Sequence, residues 1–510
     1  MDDAVHQRVR AHDQYQIEFK LDYQLSPARR TRYQITTYFF VPPSLAIRSD
    51  TYSKSEFYRD IQNYVRLQTP LFALNQLRTD PNSPLALLTT RLACEKAKCL
   101  AEAESEIIAN LKFLRAILKS SLRLELRRIR RAYGRHSSEV GEPARAHSLV
   151  LQTLQEADAI LTHFRRLGQS LLTLSPDHPI LLAYQLADES LSLVYEEFLL
   201  SLFRLVSQTQ GKANAELEQC IEKAVQGEVA YRQRTGYGAL LQPEGENEAF
   251  LHRTSLLKKY ASSVLYLSPT VEREGTALEQ VLLAFAAGLS MIFATVVAFY
   301  FQLRYGEFTF PVFVALVVGY MFKDRIKESA RSFFAHSLRH FVFDRRIIVR
   351  TRDGKQKLGY LREKLTYPSV RQVPPHVLAL RNRNLNPELV NQNQDENVLC
   401  YTKEVVLRAN AFRRMNTGGP QITGITDIMR YDVRPYLRKM DDPIERKYYL
   451  QHGKLGAARC QRVYYLNIIS LYTSEGDQGF QRIERTRVAL TRKGIKRIER
   501  SREWGVGSGE

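Results

Sequence analysis

The sequence predicts an α+β multidomain membrane protein, and three patterns carry that prediction. Residues 281–303 hold no charge. Between residues 100 and 200, apolar side chains recur at steps of three and four. Apolar–polar alternation marks residues 15–25, and strand-like runs return after residue 344. The first pattern suits a bilayer, the second helices with one apolar stripe, and the third half-buried strands.

The chain has 510 residues, room for two or three cores, and a net charge of +20. The excess is placed late. From Lys323 onward there are 38 Lys and Arg against 20 Asp and Glu, which leaves 36 against 34 for residues 1–322. A basic balance that begins where an apolar run ends points to membrane topology before it points to a ligand. Five cysteines (Cys94, Cys99, Cys220, Cys400 and Cys460) form no C-x-x-C pair, so they read as reduced structural thiols. Residues 1–19 contain no apolar signal core, and the first domain is expected to begin in the cytoplasm.

Residues 1–52 read as an N-terminal β-hairpin region. Tyr15, Ile17, Phe19, Leu21, Tyr23 and Leu25 alternate on one face of a strand. A second strand over 32–41 is expected to pair with the first across Ser26-Pro27, and Pro42-Pro43 ends it. Residues 53–275 read as a helical, coiled-coil-like domain. Its three seams run Leu100, Ala103, Ile107, Leu114, Ile117, with Asn110 at one step; then Val150, Leu154, Ala157, Leu161, Phe164, Leu171, with Gly168 at one step; then Ile180, Tyr184, Ala187, Leu191, Val194, Phe198. Near-heptad spacing of this kind suits antiparallel bundles, or a surface that takes a protein partner or a second copy. The first helix ends in an unusual face, with Arg115, Lys119, Arg123, Arg127 and Arg131 four apart. Like charges at that spacing repel, so acids of the same domain or another anion must compensate them.

Residues 276–322 are expected to form a two-helix transmembrane hairpin. The 23 uncharged residues 281–303 make a helix of about 34 Å, which exceeds a hydrocarbon core of about 30 Å. The second run, 308–322, is shorter and reaches a marginal span with its aromatic ends at headgroup depth. Cations flank both outer ends, with Arg253, Lys258, Lys259 and Arg273 before the first run. The positive-inside rule then predicts two passes through the cell membrane with both termini cytoplasmic. Residues 323–343 read as a basic amphipathic helix whose Lys323, Arg325, Lys327, Arg331 and Arg339 suit anionic lipid. Residues 344–503 read as a basic α+β domain with a hairpin turning at Asp353-Gly354, and 504–510 as a tail.

Catalytic signatures are missing. The sequence has no phosphate loop, G-x-G-x-x-G, G-x-S-x-G or H-E-x-x-H. His336 and His340 lie four apart, but two ligands do not make a metal site, and no cofactor is expected. Asp441, Asp442 and Glu445 read as a turn and element start rather than acid–base machinery. The run 480–502 is rich in arginine but offers no recognisable nucleic-acid module, so nucleic acid is a less favoured partner than anionic lipid. The sequence therefore leads to a membrane-anchored, cytoplasmic-facing scaffold or regulatory protein that acts by binding. The alternatives are a membrane-tethered nucleic-acid-binding protein, or an enzyme with an unsigned site in the C-terminal domain.

Overall fold

A computed structural model describes the chain except residues 1–4, 27, 94–96, 135–141, 209–211, 243, 307–308, 384–395, 416–418, 475–480 and 504–510. Two compact units are present. The first comprises Met1–Tyr64, Ser268–Ala409 and Asp427–Glu510; the second comprises Val65–Leu267 and Asn410–Thr426.

The strands in chain order are β1 (Val5–Ala11), β2 (Gln16–Gln24), β3 (Arg30–Val41), β4 (Ile61–Leu67), β5 (Ser268–Glu272), β6 (Arg345–Arg350) and β7 (Lys357–Thr366). They continue with β8 (Asn397–Arg408), β9 (Gly424–Asp432), β10 (Ile444–Gln451), β11 (Lys454–Gln461), β12 (Tyr464–Ser474), β13 (Gln481–Thr491) and β14 (Gly494–Glu503). An eight-stranded sheet runs β14-β13-β12-β3-β8-β7-β6-β5, with every neighbouring pair antiparallel. A four-stranded sheet runs β1-β2-β9-β4.

The expected pairing of the first two predicted strands is not formed. β2 pairs with β1, whereas β3 lies between β12 and β8 at the centre of the large sheet. Burial explains the placement. β2 alternates, with Ile17, Phe19, Leu21 and Tyr23 buried, as a strand with one core face should. The end of β3, Tyr38-Phe39-Phe40-Val41, is buried on both faces and needs cover on each. Phe39 enters a core with Ile17, Phe19, Phe57, Tyr401, Tyr431 and Leu466, drawn from both sheets. Tyr38 and Phe40 enter a second cluster with Val373, Val377 and Ile469, on the opposite face of the large sheet.

A fully buried charged cluster lies inside this unit. Lys403 and Glu363 are fully buried, as is Asp427. Lys403 donates to Asp427 and lies 3.3 Å from Glu363. Glu363 also accepts from Arg345, from Tyr401 at 2.6 Å and from Asn63 at 2.9 Å. Burial alone would push the Lys403 ammonium toward its neutral form, but Asp427 and Glu363 hold its pKa above the ordinary lysine value.

The turn predicted at Asp353-Gly354 does join β6 to β7, but as a longer loop. Thr351 N donates to Gln356 O at 2.9 Å, and Gly354 takes a positive φ of 73° inside it. A hairpin that the sequence reading missed, β10–β11, has nearly all its residues exposed and turns at His452 and Gly453, both with positive φ. Two positive-φ residues in succession are the signature of a type I′ turn.

In the second unit the helical prediction takes shape. The helices in chain order are α1 (Lys54–Asp60, in the first unit), α2 (Gln76–Thr79), α3 (Pro84–Leu92), α4 (Ala97–Gly134), α5 (Glu142–Leu171), α6 (Pro179–Ser207), α7 (Lys212–Thr235) and α8 (Glu248–Ser262). The described seam residues are buried within the bundle, from Ile107 and Leu114 on α4 to Leu191 and Phe198 on α6. A glycine in the α5 seam has a specific cause. A Cβ on Gly168 would lie 2.1 Å from the ring of Tyr184, which stacks on Phe164 with centroids 4.9 Å apart. Gly168→Ala is expected to destabilise the protein by about 1–3 kcal/mol through overpacking, seen as a lower unfolding midpoint at unchanged denaturant slope.

Candidate membrane-surface site

Between β5 and β6 stand two long helices, α9 (Thr276–Tyr305) and α10 (Phe310–Phe341). Because β5 and β6 pair, with Glu272 opposite Arg346, the two helices leave and rejoin the sheet at one place. They run antiparallel: Phe285 near the start of α9 meets Phe334 near the end of α10, with ring centroids 6.2 Å apart. Pro311 sits in the first turn of α10, where its missing N–H costs nothing.

α9 is long and apolar enough to cross a membrane, and among the described residues no other helix meets both conditions. Only 11% of its most apolar 18-residue stretch is buried. Val281, Phe285, Ile292, Val296, Phe299 and Leu303 are all more than half exposed. A soluble protein rarely leaves a contiguous apolar surface of this extent in water. Besides that aromatic contact, Ala286 and Ser290 of α9 and Val312 and Ala315 of α10 are buried. Ser290 Oγ donates to Ala287 O at 2.8 Å, so its hydroxyl needs no partner outside the helix. Ala284 and Gly288, small residues four apart on α9, are exposed, whereas Ala286 and Ser290, two residues on, are buried.

The basic segment after the second apolar run is not a separate element. α10 continues through it without a break, because residues 320–334 contain neither Gly nor Pro and several strong helix formers. Lys323 lies over the Tyr320 ring at 4.1 Å, while Arg325, Lys327 and Arg331 are exposed. The side chains of Arg339, His336 and His340 lie outside the described residues. Among the described residues no group of three or more His, Cys, Asp or Glu is arranged to hold a metal.

The basic face of α4 divides in two. Arg115 is buried and donates to Ser190 Oγ at 3.0 Å, and Lys119 pairs with Glu197 at 2.6 Å, both on α6. Burial opposes ionisation of Glu197, but Lys119, Arg123 and Arg115 hold its pKa below the ordinary value. Arg123, Arg127 and Arg131, nearer the C-terminus of α4, are exposed. The helix therefore resolves part of its own repulsion inside the bundle and leaves the rest to solvent.

The acidic group is neutralised locally. Asp441 and Glu445 both bind Arg462, at 2.6 and 2.8 Å, and Asp442 binds Arg492 at 2.9 Å. Glu445 titrates at about 2 because Lys447 and Arg462 bond it. Carboxylates held in their charged form by paired cations are poor general acids. No protein-family model, curated protein or solved structure matches this chain.

Proposed function

We propose that this protein is a membrane-anchored binding protein, with α9 and α10 as a two-pass hairpin and both termini in the cytoplasm. Exposure of α9 carries the reading: an apolar helix of this length with so little of it buried is matched to lipid and mismatched to water. The cations Lys323, Arg325, Lys327 and Arg331 follow the second apolar run on the same continuous helix. Each would gain about 1 kcal/mol beside an anionic leaflet at physiological salt. Binding to that leaflet, and through the cytoplasmic units to a protein partner or a second copy, is the activity this reading assigns.

Topology tests it. Single cysteines at Tyr305→Cys and Lys355→Cys, each in a background lacking the five native cysteines, are labelled in sealed cells with an impermeant thiol reagent. Labelling at 305 from outside, with 355 protected until permeabilisation, is the expected result. Outside labelling at 355 would overturn the two-pass assignment, and recovery of the full chain in the soluble fraction would overturn the anchor.

A further inference from the structure

On the face of the large sheet that carries the smaller apolar cluster lies a pocket of about 250 Å³. Pro42, Arg381, Tyr465, Asn467, Arg485 and Arg487 are among its lining residues. Register explains the convergence. Arg485 is opposite Ile469 and Arg487 opposite Asn467, so alternate β13 residues meet the same face of β12. A helix, α11 (Pro375–Asn382), brings Arg381 to the pocket, and the end of β3 brings Pro42.

The charges in this pocket are not balanced. Arg381 is tied to Glu396 by a 2.9 Å hydrogen bond. Glu499 is held by Arg497 at 2.5 Å and is only 3.9 Å from Arg487. The Arg487 guanidinium stacks on the Tyr465 ring at 3.5 Å, and its Nε is buried with no hydrogen-bond partner. Arg485 is 9% exposed, and among the described residues its guanidinium donates only to Asn467 Oδ1, at 3.5 Å, the outer limit for such a contact. Among the described residues no carboxylate pairs with Arg485. Burial and the neighbouring Arg487, Arg381 and Arg383 act against its charge, and Glu499 offsets them only in part. A buried guanidinium set among like charges is costly unless an anion completes it.

We propose that Arg485 and Arg487 form a binding site for a phosphate monoester. Two guanidinium forks that lack full carboxylate partners match a dianion better than a single carboxylate, and forked N–H donors fit phosphate oxygens in pairs. A phosphate monoester carries a charge of about −1.5 to −2 at neutral pH. The pocket volume lies just below the usual small-molecule range of about 300–1,000 Å³, which suits a headgroup or a small phosphorylated metabolite. This site stands independently of the membrane reading, because the phosphate chemistry is the same for a lipid or a soluble ligand.

The test uses the full chain in phosphatidylcholine nanodiscs. Glycerol 3-phosphate is titrated while the unfolding midpoint and the hydrogen exchange of β13 are followed. In a second arm the ligand is omitted and the discs contain phosphatidic acid, with phosphatidylserine, a phosphodiester, as control. At 100-fold over Kd the expected rise in midpoint is about 5–10 °C, with slower exchange in β13. Response to glycerol 3-phosphate assigns a soluble ligand, and response to phosphatidic acid alone assigns a lipid headgroup; both support the site. Arg485→Gln and Arg487→Gln are each expected to weaken binding at least about 10-fold. Unliganded Arg485→Gln should be as stable as the wild type or more so, since it removes a repelled buried charge. Arg485→Lys, which keeps the charge without the fork, should also bind more weakly. No response in either arm overturns the site, as does an unchanged affinity in these variants.

Discussion

Replacing Lys403 with methionine is expected to destabilise the first unit by about 3–5 kcal/mol, a loss that rivals the whole margin of many domains. The substitution keeps most of the apolar stem, is one atom shorter, and removes the cation. Two fully buried carboxylates then remain, and they are unequally served. Glu363 retains Arg345, Tyr401 and Asn63, whereas Asp427 loses its ammonium partner. The penalty should therefore come mainly from Asp427. Its pKa already lies above the ordinary aspartate value because burial outweighs Lys403. Without the lysine it rises further, so the folded variant takes up a proton that the unfolded chain binds only below about pH 3.9. The loss is largest at pH values above the raised pKa and shrinks as pH falls through it. Denaturant titrations at neutral and acidic pH read both effects. Lys403→Met/Asp427→Asn should recover part of the loss, since it leaves Glu363 balanced by Arg345. A pH-independent loss, or a double variant no better than the single one, would contradict this account.

Local patterns in the sequence were informative where one face of an element carries its burial. The alternation of Ile17, Phe19, Leu21 and Tyr23, and the seam residues of α5 and α6, all lie in the cores they indicate. Long-range pairing was not legible in the same way. β3 is joined to β8 and β12, residues more than 350 positions away, and nothing in its own composition names those partners. The run Tyr38-Phe39-Phe40-Val41 has no polar face, which argues against a two-stranded hairpin open to water. The Arg485 pocket was hidden for a related reason. The run 480–502 reads as diffuse basicity until alternation sorts it, and only the β12–β13 register brings Arg485 and Arg487 to the same face as Tyr465 and Asn467. The buried Lys403 offered no signal, because a Lys403-Glu404 step within a strand looks solvent-facing until its neighbours close over it.

The exposure of α9 makes opposite forecasts in water and in lipid, which is what gives its substitution diagnostic power. Ile292 lies midway along the uncharged run 281–303 and is 62% exposed, and Val296 is one turn further on the same side. Were α9 in water, Ile292→Arg would change stability by no more than about 0.5 kcal/mol and would improve solubility. In a bilayer, an arginine at the centre of a span costs about 2.5–3.5 kcal/mol on the insertion scale. Ile292→Arg/Val296→Arg should then cost about 5–7 kcal/mol, enough to prevent insertion of a helix with this composition. The expected result is a chain that is released by alkaline carbonate or degraded, while the wild type stays in the membrane pellet. A charge of the same kind at Leu182, an exposed apolar position on α6, serves as the control and should leave the distribution unchanged. If the doubly substituted α9 chain instead remained folded and became more soluble, this face of α9 would lie in water. The basic stretch after Phe322 would then lose its membrane assignment along with it.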